Sequence, residues 1–347
     1  MTHDTMPALV WLGPRAMVQR DEPVPQLAPG EILLEVGAVG ICGSELSGYL
    51  GHNSLRRPPL IMGHEGAGRV AASQGGTFAD GSPARIGARV TFNPLMVCGE
   101  CDRCRAGRTS LCRRRQLLGV HRPGAFARYM AAPAAQCWPL PDDLSLVAGA
   151  LTEPLACAVR AVALSEVQPG QRLLILGAGP IGLCCVAAAR AIGVEQIVVS
   201  DIAPGRLAIA AAWGAQATIN AREQDVVAAV QGRYAGGADV AIDAVGTTAV
   251  RAQAVHAVVP GGRVALIGLH DEESVLPANY IIRQEVMLTG TFSYTAADFQ
   301  RALDLLVGGV VRPAADWLEE RPLVAGPASF DELVDGRARA AKIMLLP

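Results

Sequence analysis

Leu173-Leu174-Ile175-Leu176-Gly177-Ala178-Gly179-Pro180-Ile181-Gly182, running on into the apolar stretch Leu183 to Ala189, decides the fold. Four large apolar residues ending on a glycine read as a buried strand breaking into a turn. The turn fits G-x-G-x-x-G and opens a segment of helical length. In that setting the first glycine permits the tight turn and the second lets backbone approach a pyrophosphate. The third allows close helix–strand packing, and the helix N-terminus faces the anion. Gly177, Gly179, Pro180, Ile181 and Gly182 are therefore candidate cofactor-binding residues. Asp201 closes the next strand-like run, 19 residues after Gly182. A carboxylate there accepts hydrogen bonds from both hydroxyls of an adenosine ribose and repels a 2′-phosphate, which favours NAD over NADP. An Asp at this position could equally cap the following helix, and Arg206 could flank the adenine or tolerate a phosphate.

Outward from this stretch the same rhythm repeats. The strand-like runs Leu173–Leu176, Ile197–Ser200, Val240–Ala244 and Arg263–Ile267 alternate with the Ala-rich, helix-length segments Ile181–Ala191, Arg206–Trp213 and Thr248–Val258. Such alternation predicts βαβ units and a parallel sheet with helices on both faces, a doubly wound α/β fold. Val245 and Gly268, just beyond two of these runs, join the candidate cofactor-binding residues. The first 150 residues differ, being rich in Gly, Pro and short alternating stretches; Glu31 to Ala38 and Ala125 to Ala131 look like strands. After about Gly290 the alternation stops, and a helix-like Ala296–Leu306 leads to a strand-like Lys342–Leu346.

Bulk composition agrees. At 347 residues, 51% hydrophobic and 18% charged, the chain reads as a well-buried globular enzyme of two domains. A net charge of −2 gives no reason to expect a nucleic-acid or membrane partner. Lys342 is the only lysine among 30 basic residues, and the surplus of arginine reads as compositional bias. Met1 to Gly13 shows no charged leader followed by an apolar stretch, so a cytoplasmic protein is expected. The apolar run Leu173 to Ala189 approaches the length of a membrane span, but Gly177, Gly179, Pro180 and Gly182 suit strand–turn–helix better.

Nine cysteines are unevenly spread. Cys98, Cys101, Cys104 and Cys112 follow C-x2-C-x2-C-x7-C. Four thiolates complete a tetrahedral zinc and leave no open position, as a structural site requires. An iron–sulfur cluster is compatible with the same spacing, whereas disulfides fit poorly without an export signal. Cys137, Cys184 and Cys185 read as small apolar packing residues.

Two further patches, Gly40-Ile41-Cys42-Gly43-Ser44-Glu45 and Gly63-His64-Glu65, are individually commonplace. Taken with the Cys cluster and the glycine turn, they make the chain resemble the medium-chain dehydrogenase/reductase family, specifically its zinc-containing alcohol, polyol and threonine dehydrogenases. The resemblance runs from Pro29-Gly30-Glu31 to Ala341-Lys342-Ile343-Met344. It implies a Rossmann domain plus a GroES-like, mostly-β catalytic domain: residues 1–153 catalytic, with the metal lobe at about 96–114; 154–291 NAD-binding; and 292–347 completing the catalytic domain.

The resemblance also implies roles by position. Cys42 and His64 match catalytic zinc ligands. Glu65 matches the acid beside the histidine, which binds the metal or closes the site. Glu153, in Glu153-Pro154-Leu155, matches a carboxylate placed at the metal directly or through water, in preference to Cys157. Glu45 stands where an acid holds the ligand histidine, and Ser44 where a hydroxyl hands on the substrate proton. Lys342 falls where a basic residue meets the pyrophosphate, and Thr291 and Phe292 fall near the nicotinamide amide. Two departures stand out: Ser47 replaces a relay histidine common in relatives, with His52 a substitute or a surface residue. Ser293 replaces the arginine of the Phe-Arg-Tyr often seen in polyol enzymes.

The implied protein uses one catalytic and one structural zinc and NAD, and transfers a hydride reversibly to or from a secondary alcohol of a polyol, sugar or related compound. It is expected to act on a small-molecule alcohol or carbonyl and to assemble as a homo-dimer or tetramer. Threonine-type or simple secondary alcohol dehydrogenases are the nearest alternatives. A zinc-free reductase of the same superfamily and a non-catalytic dinucleotide-binding protein are the more distant ones.

Overall fold

In the computed structural model, which describes residues 4–347, the apolar runs of the middle third form one sheet. Its strands are β1 (Arg172–Leu176), β2 (Gln196–Asp201), β3 (Ala217–Asn220), β4 (Ala238–Asp243), β5 (Val258–Leu266) and β6 (Met287–Gly290). They lie in the order β3-β2-β1-β4-β5-β6, every pair parallel. Parallel strands need both faces covered, and β1 shows why this sequence complies. Leu174 and Leu176 pack with Val230, Ala254 and Val255 from helices on one face. Leu173 and Ile175 point to the other face by strand periodicity and are also fully buried. The helix Pro180–Ala191 follows β1, with Pro180 in its first turn and eight of its residues buried. The sheet belongs to a unit spanning Pro154–Tyr294. The strands β3 and β6 escaped the sequence reading; they are only four residues long, and β6 is largely exposed.

The chain to Glu153, together with Thr295–Pro347, forms a second unit. Its main sheet runs Cys137–Pro139, Arg89–Phe92, Glu65–Ser73, Glu31–Gly40, Lys342–Leu346 and Leu318–Pro322, with Tyr129–Pro133 also pairing with Glu31–Gly40. A three-stranded sheet of Ala16–Pro23, Thr5–Gly13 and Leu60–Ile61 and a two-stranded pair of Leu95–Met96 with Gln116–Leu117 accompany it. Ile32, Leu34, Val70, Phe92, Phe126, Met130, Phe330 and Ile343 form the core of this unit. The expected strand at Ala125–Ala131 is displaced to Tyr129–Pro133. The cause lies in shared pairing: Ala125 and Phe126 donate to Gly63 and Met62, while the Phe126 carbonyl accepts from Leu9. Those groups serve two neighbours rather than one ladder, yet they fasten the segment leading into His64.

The return of the chain starts on a capping box at Thr295 and Asp298, which opens the amphipathic helix Ala296–Val307. The final strand, Lys342–Leu346, then pairs with Gly40 and Val39 through Met344 and Leu345. This closes the end of the chain onto the residues immediately before Cys42. Among the described residues no helix is long and apolar enough to cross a membrane.

Candidate metal centres and dinucleotide site

Cys42 occupies the N-cap of the short helix Gly43–Tyr49, so its side chain projects from a turn that has left the Glu31–Gly40 strand. Glu45, in the first turn of that helix and fully buried, is the organising group. Its Oε2 accepts from the Cys42 N–H at 3.1 Å, and its Oε1 accepts from the Gly63 N–H at 2.8 Å. The same Oε1 lies 2.7 Å from His64 Nδ1. With Nδ1 turned onto the carboxylate, Nε2 carries the lone pair available to a metal. Burial pushes the His64 pKa down, but the charges of Glu45 and then Cys42 hold it well above the usual imidazole range.

One ligand atom each from Cys42, His64 and Glu65 falls within 4.8 Å of the others. A thiol, an imidazole nitrogen and a carboxylate on one small volume are the donor types zinc takes, and three of them leave a fourth position open. Glu65 is 1% exposed and forms a buried ion pair with Lys342, whose Nζ also donates to the Ile41 carbonyl at 2.9 Å. Burial depresses the Lys342 ammonium, yet Glu65 and Cys42 keep it above its ordinary range. Ser44 is half-buried and its Oγ donates to Cys42 Sγ at 3.5 Å. Glu153 is buried in the first turn of Thr152–Ser165, but its carboxylate lies outside the 4.8 Å set. Ser47 is half-buried, His52 is exposed, and Cys157 is half-buried on the Glu153 helix.

The four-cysteine lobe is built independently. Sγ–Sγ separations are 3.9 Å for Cys98–Cys104, 3.6 Å for Cys101–Cys104 and 3.5 Å for Cys112–Cys98. A disulfide requires about 2.05 Å, whereas a tetrahedron of thiolates at about 2.3 Å from zinc has edges near 3.8 Å. The lobe thus has the dimensions of a metal site. Backbone N–H groups of Glu100 and Cys101 favour the Cys98 thiolate, bringing its pKa down to about 6. Burial instead raises Cys137 and Cys185, which are packing residues.

In the Pro154–Tyr294 unit, parallel pairing brings the candidate cofactor residues of that unit to the C-terminal ends of the strands. Gly177 follows β1, Asp201 ends β2, Val245 follows β4, Gly268 follows β5 and Thr291 follows β6. Gly177 has φ +98°, and a Cβ there would stand 2.7 Å from Val245 Cγ2. A Cβ on Gly182 would overlap the Gly177 carbonyl oxygen. Asp201 accepts from the Ala178 N–H at 2.7 Å and from the Ala203 N–H at 2.8 Å. It therefore ties the glycine turn to its own turn, and does not cap the helix Pro204–Ala212. Arg206 is half-buried on that helix, Thr291 is buried with its N–H on the Leu266 carbonyl, and Phe292 is 38% exposed.

Two supporting residues escaped the sequence reading. Asp243, fully buried, accepts from the Val245 and Gly246 N–H groups at 2.9 Å each, and Arg251 reaches the Gly268 carbonyl and Asp271. A charged residue closing the apolar run Val240–Ile242 was the available signal, since buried carboxylates need partners. Arg56 was also missed and carried no such signal.

Comparison with known proteins agrees with this geometry. The alcohol dehydrogenase GroES-like domain matches residues 28–142, and the zinc-binding dehydrogenase domain matches residues 180–308. Sorbitol dehydrogenase of Bacillus subtilis is 34% identical over 100% of this chain and 99% of its own length. A probable D-xylulose reductase A of Aspergillus clavatus is 32% identical over 90% of this chain and 87% of its own. The crystal structure of a zinc-binding dehydrogenase from Sinorhizobium meliloti, bound to NADP, superposes with a TM-score of 0.89. It is 30% identical and covers 99% of this chain and 100% of its own. With both domain models matched in order and full-length identity above 30%, the chain belongs to the zinc-containing medium-chain alcohol and polyol dehydrogenases.

Proposed function

We propose that the protein is an NAD-linked dehydrogenase with one catalytic and one structural zinc. It transfers a hydride reversibly between NAD and a secondary alcohol of a polyol, sugar or related small hydroxy compound. The carrying observation is the Cys42–His64–Glu65 donor set with His64 Nδ1 engaged by Glu45. When bound, zinc supplies a Lewis acid that lowers the pKa of an alcohol, and the nicotinamide supplies the hydride acceptor. Cys42 and His64 would hold the metal with Glu65 as third donor; Glu153 is the further carboxylate we assign to it, directly or through water. Glu45 fixes the tautomer and direction of His64. Ser44, beside the Cys42 sulfur, carries the substrate proton outward. Lys342, committed to Glu65 and the Ile41 carbonyl, neutralises the site, and we assign it that role rather than contact with a pyrophosphate.

Cys98, Cys101, Cys104 and Cys112 hold the structural zinc in this reading, on the strength of their tetrahedral spacing. NAD is preferred because Asp201 ends β2 with a carboxylate where a 2′-phosphate would meet negative charge. Cytoplasmic residence fits nine cysteines of which none is paired in a disulfide. The exposed edge strand β6, with Met287 at 41% and Leu288 at 36%, is the surface we assign to homo-oligomer formation.

Metal analysis and NADH formation on a panel of polyols and secondary alcohols test this. The native chain should bind two zincs and Cys42→Ser one, with activity lost. Undiminished turnover by Cys42→Ser would overturn the mechanism, and a specificity ratio favouring NADP would overturn the cofactor assignment.

A further inference from the structure

Arg56 lies between the two ligands Cys42 and His64 in sequence and is only 5% exposed. Among the described residues its side chain makes no hydrogen bond or ion pair, and its Nε is sealed from solvent without an acceptor. The side chain lies along the helix that Cys42 caps: a Cβ on Gly48 would stand 2.6 Å from Arg56 Cδ, 3.0 Å from Nε and 3.3 Å from Cζ. Burial holds the Arg56 guanidinium below its ordinary range, and the nearby Glu45 and Cys42 only partly offset this. Glu45 offers no direct partner, since its oxygens already serve Cys42, Gly63 and His64.

A packing role alone accounts poorly for this arrangement. Methylenes would fill the same space beside Gly48, whereas a guanidinium whose Nε is sealed without an acceptor is costly. Its planar fork of donors matches a two-oxygen anion, and the low exposure of the residue strengthens such a contact. We propose that Arg56 recognises substrate, and that the alcohol oxidised beside Cys42 and His64 carries an anionic group, a carboxylate or a phosphate. This rests on the dehydrogenase reading above.

The test uses zinc-loaded protein and matched pentitols and hexitols, their aldonates and their terminal phosphates. The native enzyme should favour one acidic series over the neutral one by about 10- to 100-fold in kcat/KM, the range a charge-assisted pair supplies. Whichever acid leads identifies carboxylate or phosphate. Arg56→Gln should bring the acidic-to-neutral ratio near one. Arg56→Lys should keep more of a phosphate preference than of a carboxylate preference, because it offers a point charge. Gly48→Ala, which pushes the guanidinium aside without removing it, should lower the same ratio. Calorimetric titration with the preferred acid should show at least tenfold weaker binding to Arg56→Gln, with circular dichroism reporting on its fold.

Equal use of neutral and acidic compounds by the native enzyme, or a ratio unmoved by Arg56→Gln, would overturn the proposal while leaving the dehydrogenase intact. Arg56-dependent binding of the acid with no turnover of any compound would support the anion site and sink the dehydrogenase reading instead.

Discussion

Replacing Glu45 with Gln should weaken the catalytic metal site without touching the four-cysteine lobe. The carboxylate is fully buried and accepts three contacts, from Cys42 N–H at 3.1 Å, Gly63 N–H at 2.8 Å and His64 Nδ1 at 2.7 Å. An amide in the least costly orientation keeps its oxygen on Gly63 and His64 and turns its NH2 toward the Cys42 N–H. One charge-assisted bond is then lost, at about 1.5–3 kcal/mol, and two donors face each other unsatisfied, for a total of about 3–5 kcal/mol. Losing the negative charge behind His64 also lowers the ligand's basicity, which costs about 10- to 100-fold in metal affinity. Chelator competition on the zinc-loaded protein measures affinity, and urea unfolding measures stability. One of two zinc equivalents should leave at a lower chelator concentration than in the native protein, while the other is unchanged. Glu45→Asp, which keeps the charge but shortens the reach, should fall between. Affinity within about twofold of native for Glu45→Gln would refute the idea that Glu45 tunes the ligand.

Three further outcomes follow from the structure. Gly182→Ala places a methyl onto the Gly177 carbonyl oxygen, so it should cost about 1–3 kcal/mol of stability or force the turn open. Binding measured by nucleotide fluorescence should drop sharply, and native affinity at native melting temperature would contradict the turn geometry. Asp201→Ala removes the acceptor for Ala178 and Ala203; the NADP-to-NAD ratio of kcat/KM should rise about tenfold or more, and an unchanged ratio would remove Asp201 from cofactor choice. Asp239 takes three donors from Arg172 at 2.6–2.9 Å, and the guanidinium holds its carboxyl below the usual range. A depressed folded pKa gives stability that is complete above the unfolded value of about 4 and is lost as pH falls through the folded value. Asp239→Asn should therefore flatten the acid limb of the stability profile below about pH 4; an acid limb as steep as native would disprove the linkage.

The dinucleotide unit was legible because its information is local. β1, the glycine turn and the helix Pro180–Ala191 form one continuous stretch, and apolar runs between Ala-rich segments dictate parallel pairing. The short edge strand Met287–Gly290 was not legible, because it is mostly exposed and carries no alternating pattern. The proposed metal donors were legible as residue types, but not as a set. Cys42, His64 and Glu65 are brought together by Glu45 and by the fastening of Met62 and Gly63 to Ala125 and Phe126, contacts between segments that no spacing announces. Arg56 was illegible for the same reason: only burial without a partner distinguishes it from the many other arginines.

The lone lysine shows how such long-range constraint acts against a compositional trend. The chain uses arginine at every other basic position, so a lysine at position 342 needs a local cause. The four-cysteine lobe closes within its own loop, with the Cys98 and Arg114 N–H groups donating to Cys112 sulfur. The Cys42–His64–Glu65 cluster instead draws Lys342 from the last strand onto Glu65, 277 residues earlier. That strand is held in register by Met344 opposite Gly40 and by the Ile41 N–H on the Ile343 carbonyl. Space at the junction is small: a Cβ on Gly40 would stand 2.7 Å from Lys342 Cε and 3.0 Å from Nζ. A compact ammonium has three donors, and the junction supplies the Glu65 carboxylate and the Ile41 carbonyl as acceptors. A guanidinium would bring five donors in a wide planar fork into the same sealed space, leaving several without partners. The composition favours arginine everywhere that solvent forgives the choice, and gives way to lysine where the geometry around Glu65 and Gly40 does not.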